Sequence, residues 1–408
     1  MNTLFSSTWF LLLLLLVISA YYWLIHPIIL LALLKFRRAG KHENPPICSE
    51  EKLFKKILII PTFGSRKAIL SKLDSLEKLL KSNLFEEIDH IYIVYSEPSQ
   101  AVLRELEQKL SGSPLREKTS LIIEEERRGK AYAINHALKL AYENYGKDLI
   151  VIVNDDDAFF TQKDLEKLLS CFKNKIAVAC IYPSYQEGVL NIFYKYKRFI
   201  HNLEAKLCNP VIGGELMAFR TDVITYLREN SLSEDLQTSL LAEIKGHNVK
   251  LINGQVTENY PTTISGIKNR TKRVVLGTIL EYMAFFKSLN KTCKYIYGAY
   301  TFSLISLPLL LFSMVTLFLY GLLVINSLTV YLITLLFIVI SLYFFRSAIK
   351  FVTGILIGTI DAFLIIVKSK YSQNFSNNIK ELWQENKDLE YVRTKALKRS
   401  SKSSLHYQ

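Results

Sequence analysis

Three consecutive carboxylates, Asp155, Asp156 and Asp157, follow the apolar run 149–153. Like charges this close raise one another's pKa, so the cluster needs solvent, a cation or a helix N-terminus to offset it. Hard cations such as Mg2+ and Mn2+ take oxygen ligands, usually one or two carboxylates plus substrate phosphates. Residues i and i+2 at a strand-to-loop turn can present two carboxylates to one metal. The plainer alternative is a solvated acidic turn capping the next helix. A second acidic pair, Glu234-Asp235, follows Ser233. Ser233 suits a helix cap, and both acids suit the first helical turn. A well-capped helix would explain that pair without any chemistry.

The elements around these residues alternate. Apolar runs at 56–60, 90–95, 119–124 and 149–153 read as strands, the first closed by Pro61. Between them, 66–81 carries Ile69, Leu70, Leu73, Leu76, Leu79 and Leu80 at helical spacing, and helices are expected near 99–110 and over 130–144. Strand–helix alternation at this spacing predicts an α/β fold with a doubly wound, mostly parallel sheet. Ligands in such sheets sit beyond the carboxyl ends of strands, where the acidic cluster falls.

Half of the 408 residues are hydrophobic, and they concentrate at the two ends. Residues 9–34 exceed the roughly 20 apolar residues a helix needs to cross a bilayer. No Lys or Arg precedes this run, whereas Lys35, Arg37, Arg38 and Lys41 follow it, so the middle of the chain is expected on the cytoplasmic side. His26-Pro27 reads as a kink. Further spans are expected at 301–324, 328–345 and, less cleanly because of Gly354, Gly358 and Asp361, at 349–367. Three such spans would put the basic tail outside, against the charge rule. The net charge of +14 reads as cationic flanks facing anionic lipid rather than a nucleic-acid surface, since no basic stretch is interleaved with aromatics. The five cysteines form no C-x-x-C pair, so buried free thiols are expected rather than a disulfide framework or zinc site.

Several segments together resemble glycosyltransferase family 2, whose members include cellulose, chitin and hyaluronan synthases and ceramide glucosyltransferase. The resemblance spans roughly 55–280. IIPTF at 59–63 resembles the first-strand motif, although Gly64 and Ser65 replace the usual Asn and acid. IYIVYSEPS at 91–99 matches the second strand, RGKAYAIN at 128–135 the G-K-A-x-A-L-N pattern, and VNDDDA at 153–158 the D-x-D strand end. GGELMAFR at 213–220 resembles the acceptor-side segment. SEDLQTSLLAEIKGHNV at 233–249 matches T-E-D followed by a helix, and ENYPTT at 258–263 matches E-x-x-P-x-[ST]. Arg270 and Arg273 fit the arginine motif, with Val274 in place of its tryptophan.

The resemblance implies a GT-A fold and an inverting, metal-assisted transfer of a hexosyl or N-acetylhexosaminyl group. Asp235 would be the catalytic base, supported by Glu234. Asp155 and Asp157 would hold Mg2+ or Mn2+. Pro61, Glu97, Lys130, Asp155, Arg270 and Arg273 would bind a UDP- or GDP-sugar, and Gly213, Gly214 and Glu215 would line the acceptor side. The expected layout is a transmembrane helix (1–34), a linker (35–55), a cytosolic GT-A domain (56–263), amphipathic interfacial helices (264–298), two or three transmembrane helices (299–367) and a basic tail (368–408). The acceptor would be a lipid or short glycan reached at the bilayer, in a protein of the plasma membrane. The alternatives left open are a processive polysaccharide synthase, disfavoured by Val274, transfer to polyprenyl phosphate, and an inactive membrane scaffold.

Overall fold

Runs rich in isoleucine and valine become the centre of one sheet. Strand β1 (Lys55–Phe63) pairs in parallel with β2 (His90–Ser96) on one side and with β4 (Leu149–Asn154) on the other, and β3 (Thr119–Glu124) continues the sheet beyond β2. β7 (Leu216–Arg220) runs antiparallel to both β4 and β6 (Ile176–Tyr182), and β8 (Asn248–Asn253) lies parallel to β6. The order is β3-β2-β1-β4-β7-β6-β8. A separate two-stranded ladder joins β5 (Ala158–Phe159) to β9 (Thr257–Glu258). In this computed structural model the described residues are 20–38, 54–63, 66–80, 87–173, 176–182, 189–209, 213–258, 263–324 and 346–371, with positions 14, 17 and 18.

Helices cover both faces of the sheet. Leu58, Ile60 and Ile152 share a core with Ile69, Leu73 and Leu76 of α2 (Arg66–Leu80). Ile57, Ile59, Val151 and Val153 point the other way, into a core with Ala131, Ile134 and Leu138 of α4 (Lys130–Tyr145). Burial on both faces is why these strands read as unbroken apolar runs instead of alternating ones. The expected strands and helices of this region are present, α3 (Gln100–Ser111) included. One boundary differs. Pro61 does not close β1, because the β1–β2 register continues through Pro61↔Val94 to Phe63↔Ser96. The β1–β4 register ends at Ile59↔Val153, so from Pro61 onward β1 has a partner on one side only, a setting in which a missing N–H is tolerated.

The chain divides into two compact units. One holds the sheet and comprises 45–185, 209–259 and 368–408; the other comprises 1–44, 186–208 and 260–367. The second unit is helical: a π-helical turn (Tyr21–Ile25) leading into α1 (His26–Arg38), then α6 (Val189–Glu204), α8 (Ile264–Phe285), α9 (Lys291–Val324) and α10 (Arg346–Tyr371). Three expectations change here. His26 is not merely beside a kink: it is fully buried, with Nε2 3.0 Å from Glu204 Oε1 and Nδ1 2.9 Å from Tyr295 Oη. Cys208 and Cys293 form a disulfide, a pairing hidden in the sequence by their separation of 85 residues, while Cys171 and Cys180 are buried thiols outside any disulfide, as expected. Among the described residues, no helix is long and apolar enough to cross a membrane. The segment expected at 349–367 is helical, but α10 also carries Arg346, Lys350, Asp361, Lys368 and Lys370, and Asp361 pairs with Lys268 of α8 at 2.8 Å. Gly358 explains how close these two helices come, since a Cβ there would stand 2.4 Å from the Lys268 carbonyl oxygen. The expected span 328–345, the first part of the expected span 9–34, Gly64, Ser65, Cys48 and the tail beyond Tyr371 lie outside the described residues.

Candidate active site

The three aspartates form the turn that leaves β4 and enters β5, at the carboxyl end of the sheet's central strand. All three are half-buried. The turn is held from several directions. The Thr62 hydroxyl donates to Asp156 Oδ2 at 2.5 Å, the Asp155 amide donates to the Glu215 carbonyl at 3.3 Å, and Asn154 Nδ2 donates to that same carbonyl at 2.6 Å. Behind it lies Lys72 of α2, only 1% exposed, whose ammonium donates to Asn154 Oδ1 at 2.5 Å and to the Ala158 carbonyl. Burial pushes the Lys72 ammonium down to about 8, even though the charges of Asp156, Asp155 and Asp157 pull it up. Part of the answer to what offsets three crowded carboxylates is therefore a buried lysine from another element.

Lys130 is the second cation at the turn. It begins α4, and its Nζ lies 2.6 Å from Asp155 Oδ1 and 2.5 Å from Glu234 Oε1. It also donates to the Gly214 carbonyl at 3.3 Å. Burial alone would depress this ammonium, but the facing Asp155 and Glu234 carboxylates raise it above the ordinary lysine value. Gly214 suits this crowding: a Cβ there would stand 3.0 Å from Lys130 Nζ and 3.1 Å from Glu234 Oε1, so either side chain would have to give by a few tenths of an ångström.

The two acids at the start of α7 (Glu234–Ile244) have different surroundings. Glu234 is buried and ion-paired to Lys130. Asp235 is half-buried, and its Oδ1 accepts from the Ser233 hydroxyl at 2.8 Å and from the Leu236 amide at 2.7 Å. Burial, and then the charge of Glu234, push the Asp235 carboxyl up to about 6, against Lys130 and those two donors. A carboxylate with a pKa near the working pH is suited to proton abstraction. Ser233 does not cap the helix through its side chain as expected; its hydroxyl is turned to Asp235.

The remaining expected residues are dispersed. Pro61 lies within β1, and Glu97 follows β2. Glu97 has φ +53°, uncommon for a side chain of its size, and its Oε1 accepts from the Arg127 amide at 3.0 Å. The Arg127 guanidinium stacks 3.7 Å from the centre of the Phe63 ring. Gly213 precedes Gly214, and Gly214 and Glu215 present their carbonyls to Lys130 and to the aspartate turn. Arg270 and Arg273 stand three residues apart on α8, so they share a helix face within the other unit. Asp157, with Asp155, supplies hard oxygen donors at a half-exposed turn, a set that fits Mg2+ or Mn2+ completed by phosphate oxygens. Sequence reasoning missed Lys72, Thr62 and Asn154.

Two family profiles match the chain: Glycosyl transferase family 2 over residues 57–232 and Glycosyl transferase family group 2 over residues 150–347. Among solved structures, the mannosyltransferase PcManGT from Pyrobaculum calidifontis, in complex with GDP-Man and Mn2+, aligns with a TM-score of 0.63 at 17% identity, covering 86% of this chain and 99% of that one. Glucosyl-3-phosphoglycerate synthase from Mycobacterium tuberculosis aligns with a TM-score of 0.41 at 13% identity, over 56% of this chain and 79% of that one. The first likeness identifies the fold of the chain as GT-A. No curated protein sequence matches the chain.

Proposed function

We propose that this chain, which belongs to glycosyltransferase family 2, moves a hexosyl or N-acetylhexosaminyl group from a UDP- or GDP-sugar to a hydroxyl of a membrane-associated lipid or short glycan, with inversion. The observation that carries this reading is the Lys130 bridge. One ammonium joins the aspartate turn, through Asp155, to the acidic start of α7, through Glu234. It thereby sets a donor-phosphate anchor beside a carboxylate whose pKa of about 6 suits a base. The GDP-Man and Mn2+ bound by the Pyrobaculum enzyme support a nucleotide-sugar donor and a divalent cation.

In this mechanism Asp155 and Asp157 would hold Mg2+ or Mn2+, which when bound would supply Lewis-acid stabilisation of the diphosphate leaving group. Lys130 exchanges part of its carboxylate contact for diphosphate oxygens, and Arg270 and Arg273 add charge-assisted hydrogen bonds to phosphate. Pro61 and Glu97 border the nucleoside. Gly213, Gly214 and Glu215 border the acceptor. Asp235 takes the proton of the acceptor hydroxyl as that oxygen attacks the anomeric carbon from the face opposite the diphosphate. One displacement inverts the configuration, and no enzyme nucleophile is needed. Glu234 keeps Lys130 in place and its charge keeps the Asp235 carboxyl basic.

Apolar exposure in the helical unit supports the membrane part of the reading. Leu24, Ile28, Leu31, Met283 and Leu364 are each more than half exposed, and large exposed apolar surface marks partner or membrane contact. The proposed setting is the plasma membrane, where a lipid acceptor is at hand. The test is a panel of UDP- and GDP-sugars with the purified full chain and Mn2+. The reading expects metal-dependent release of nucleoside diphosphate from at least one donor, with a glycosylated product in the lipid extract detected by mass spectrometry. No release from any donor would sink it.

A further inference from the structure

We propose that Lys72 is a positioning residue for the divalent-cation turn: its ammonium staples the two ends of that turn together from behind. The inference rests on the reading of Asp155 and Asp157 as the metal carboxylates. Its geometry is independent of that reading. Lys72 Nζ donates to Asn154 Oδ1 at 2.5 Å and to the Ala158 carbonyl. Asn154 is the residue before the three aspartates and Ala158 the residue after them, so one side chain from α2 spans the whole acidic turn. Asn154 passes the restraint on by donating Nδ2 to the Glu215 carbonyl at 2.6 Å. Thr62 adds a further tie through Asp156 Oδ2, the aspartate between the two metal carboxylates.

Packing alone does not account for a lysine here. Positions 69, 73 and 76 on the same helical face are Ile, Leu and Leu, all buried in one core, and position 72 falls within that stripe. An apolar residue at 72 would continue the stripe at no desolvation cost, whereas a buried ammonium is expensive unless it is paired and hydrogen-bonded. Lys72 is 1% exposed, and the Phe159 ring centre lies 4.9 Å from its Nζ. Its compensation is the turn itself: two acceptors at the ends and three carboxylates between them. Replacing Lys72 with an apolar side chain would leave Asn154 Oδ1 and the Ala158 carbonyl without this donor. The turn that carries Asp155 and Asp157 would then lose a restraint at both ends, and ordering it around a cation would draw on binding free energy.

A cation behind the turn also repels an incoming metal, and that effect has the opposite sign. Two substitutions separate the two. Lys72→Met removes donor and charge together. Asn154→Ala removes the acceptor but leaves the charge. Binding of Mn2+ to the full chain is read by electron paramagnetic resonance, with Mn2+ alone and with added GDP or UDP, so catalysis is not required. The staple predicts that each variant weakens Mn2+ by about tenfold, the equivalent of about one charge-assisted hydrogen bond. It also predicts that the double variant is weakened by less than the sum of the two single effects, because the Lys72–Asn154 link is lost in each. Mn2+ affinity above that of the wild type in folded Lys72→Met would show that charge repulsion outweighs the staple and would overturn it. Wild-type affinity in Asn154→Ala would overturn it as well, and that variant decides alone if Lys72→Met fails to fold. Asp155→Asn and Asp157→Asn serve as references. If these two bind Mn2+ as the wild type does, the metal reading itself fails; if they lose it while the Lys72 and Asn154 variants keep it, only the staple fails.

Discussion

Removing the charge of Glu234 while keeping its shape should lower the pKa of Asp235, and removing the charge of Lys130 should raise it. Asp235 sits at about 6 because burial and the Glu234 carboxylate oppose its ionisation, while Lys130 favours it. Lys130 Nζ and Asp235 Cβ lie 3.0 Å and 3.7 Å from one point, where a Gly214 Cβ would stand, so they are at most about 7 Å apart. Two unit charges at about 7 Å, with an effective dielectric constant of about 20, interact by roughly 2 kcal/mol. Asp235 is half-buried, so solvent screening brings this to about one pH unit for Lys130, and Glu234 acts with the opposite sign. A base works in its ionised form, so activity falls as pH drops through its pKa. The acid limb of kcat/KM should therefore lie near 6 in the wild type, move down in Glu234→Gln and move up by about one unit in Lys130→Met. The assay is steady-state transfer across about pH 4.5 to 8 with donor and Mn2+ saturating where the variant permits. If both variants leave the acid limb where it is, or move it in the same direction, Asp235 is not the group whose ionisation controls the reaction.

Other outcomes follow from the proposed roles. Asp155→Asn and Asp157→Asn should each abolish metal-stimulated release of nucleoside diphosphate while leaving the melting temperature within a few degrees, since both residues are half-buried at a turn. Gly214→Ala should raise KM for the donor by about tenfold, because its methyl would stand 3.0 Å from Lys130 Nζ and 3.1 Å from Glu234 Oε1 and must push that pair apart. Arg270→Ala and Arg273→Ala should each raise donor KM by roughly tenfold without shifting the acid limb, as expected for lost phosphate contacts rather than a lost base. Equal KM in the wild type and both arginine variants, measured with the donor that supports turnover, would remove these residues from the donor site.

The sheet was legible because its strands are buried on both faces. Runs such as 56–60 and 149–153 are apolar throughout, and their spacing around helices at 66–80 and 130–145 leaves few topologies other than a doubly wound one. The antiparallel β7 was not legible as such, because direction depends on where Leu216–Arg220 inserts between β4 and β6, a long-range choice no local pattern encodes. Of the site, the acids and Lys130 stood out through their order along the chain. The mutual arrangement of Lys130, Asp155 and Glu234 did not, since these residues come from three separate segments. Lys72 had a visible signal that periodicity alone does not interpret: a lysine at position 72 inside the stripe formed by Ile69, Leu73 and Leu76. A charged residue on the buried face of an amphipathic helix requires a buried partner, and only the fold reveals that the partner is the aspartate turn. The Cys208–Cys293 disulfide was hidden in the same way, because proximity across 85 residues has no sequence signature when the cysteines are few and unevenly spaced.

The central claim, that Asp235 is the base of a glycosyl transfer, is tested most directly by Asp235→Asn under single-turnover conditions with saturating donor and Mn2+. Asparagine keeps the size of the side chain and an oxygen able to accept from the Ser233 hydroxyl or the Leu236 amide, so the start of α7 should stay intact. The account predicts that donor binding by calorimetry remains within about threefold of wild type while the transfer rate falls by at least about a hundredfold at every pH. Transfer by Asp235→Asn at a rate near that of the wild type would contradict it.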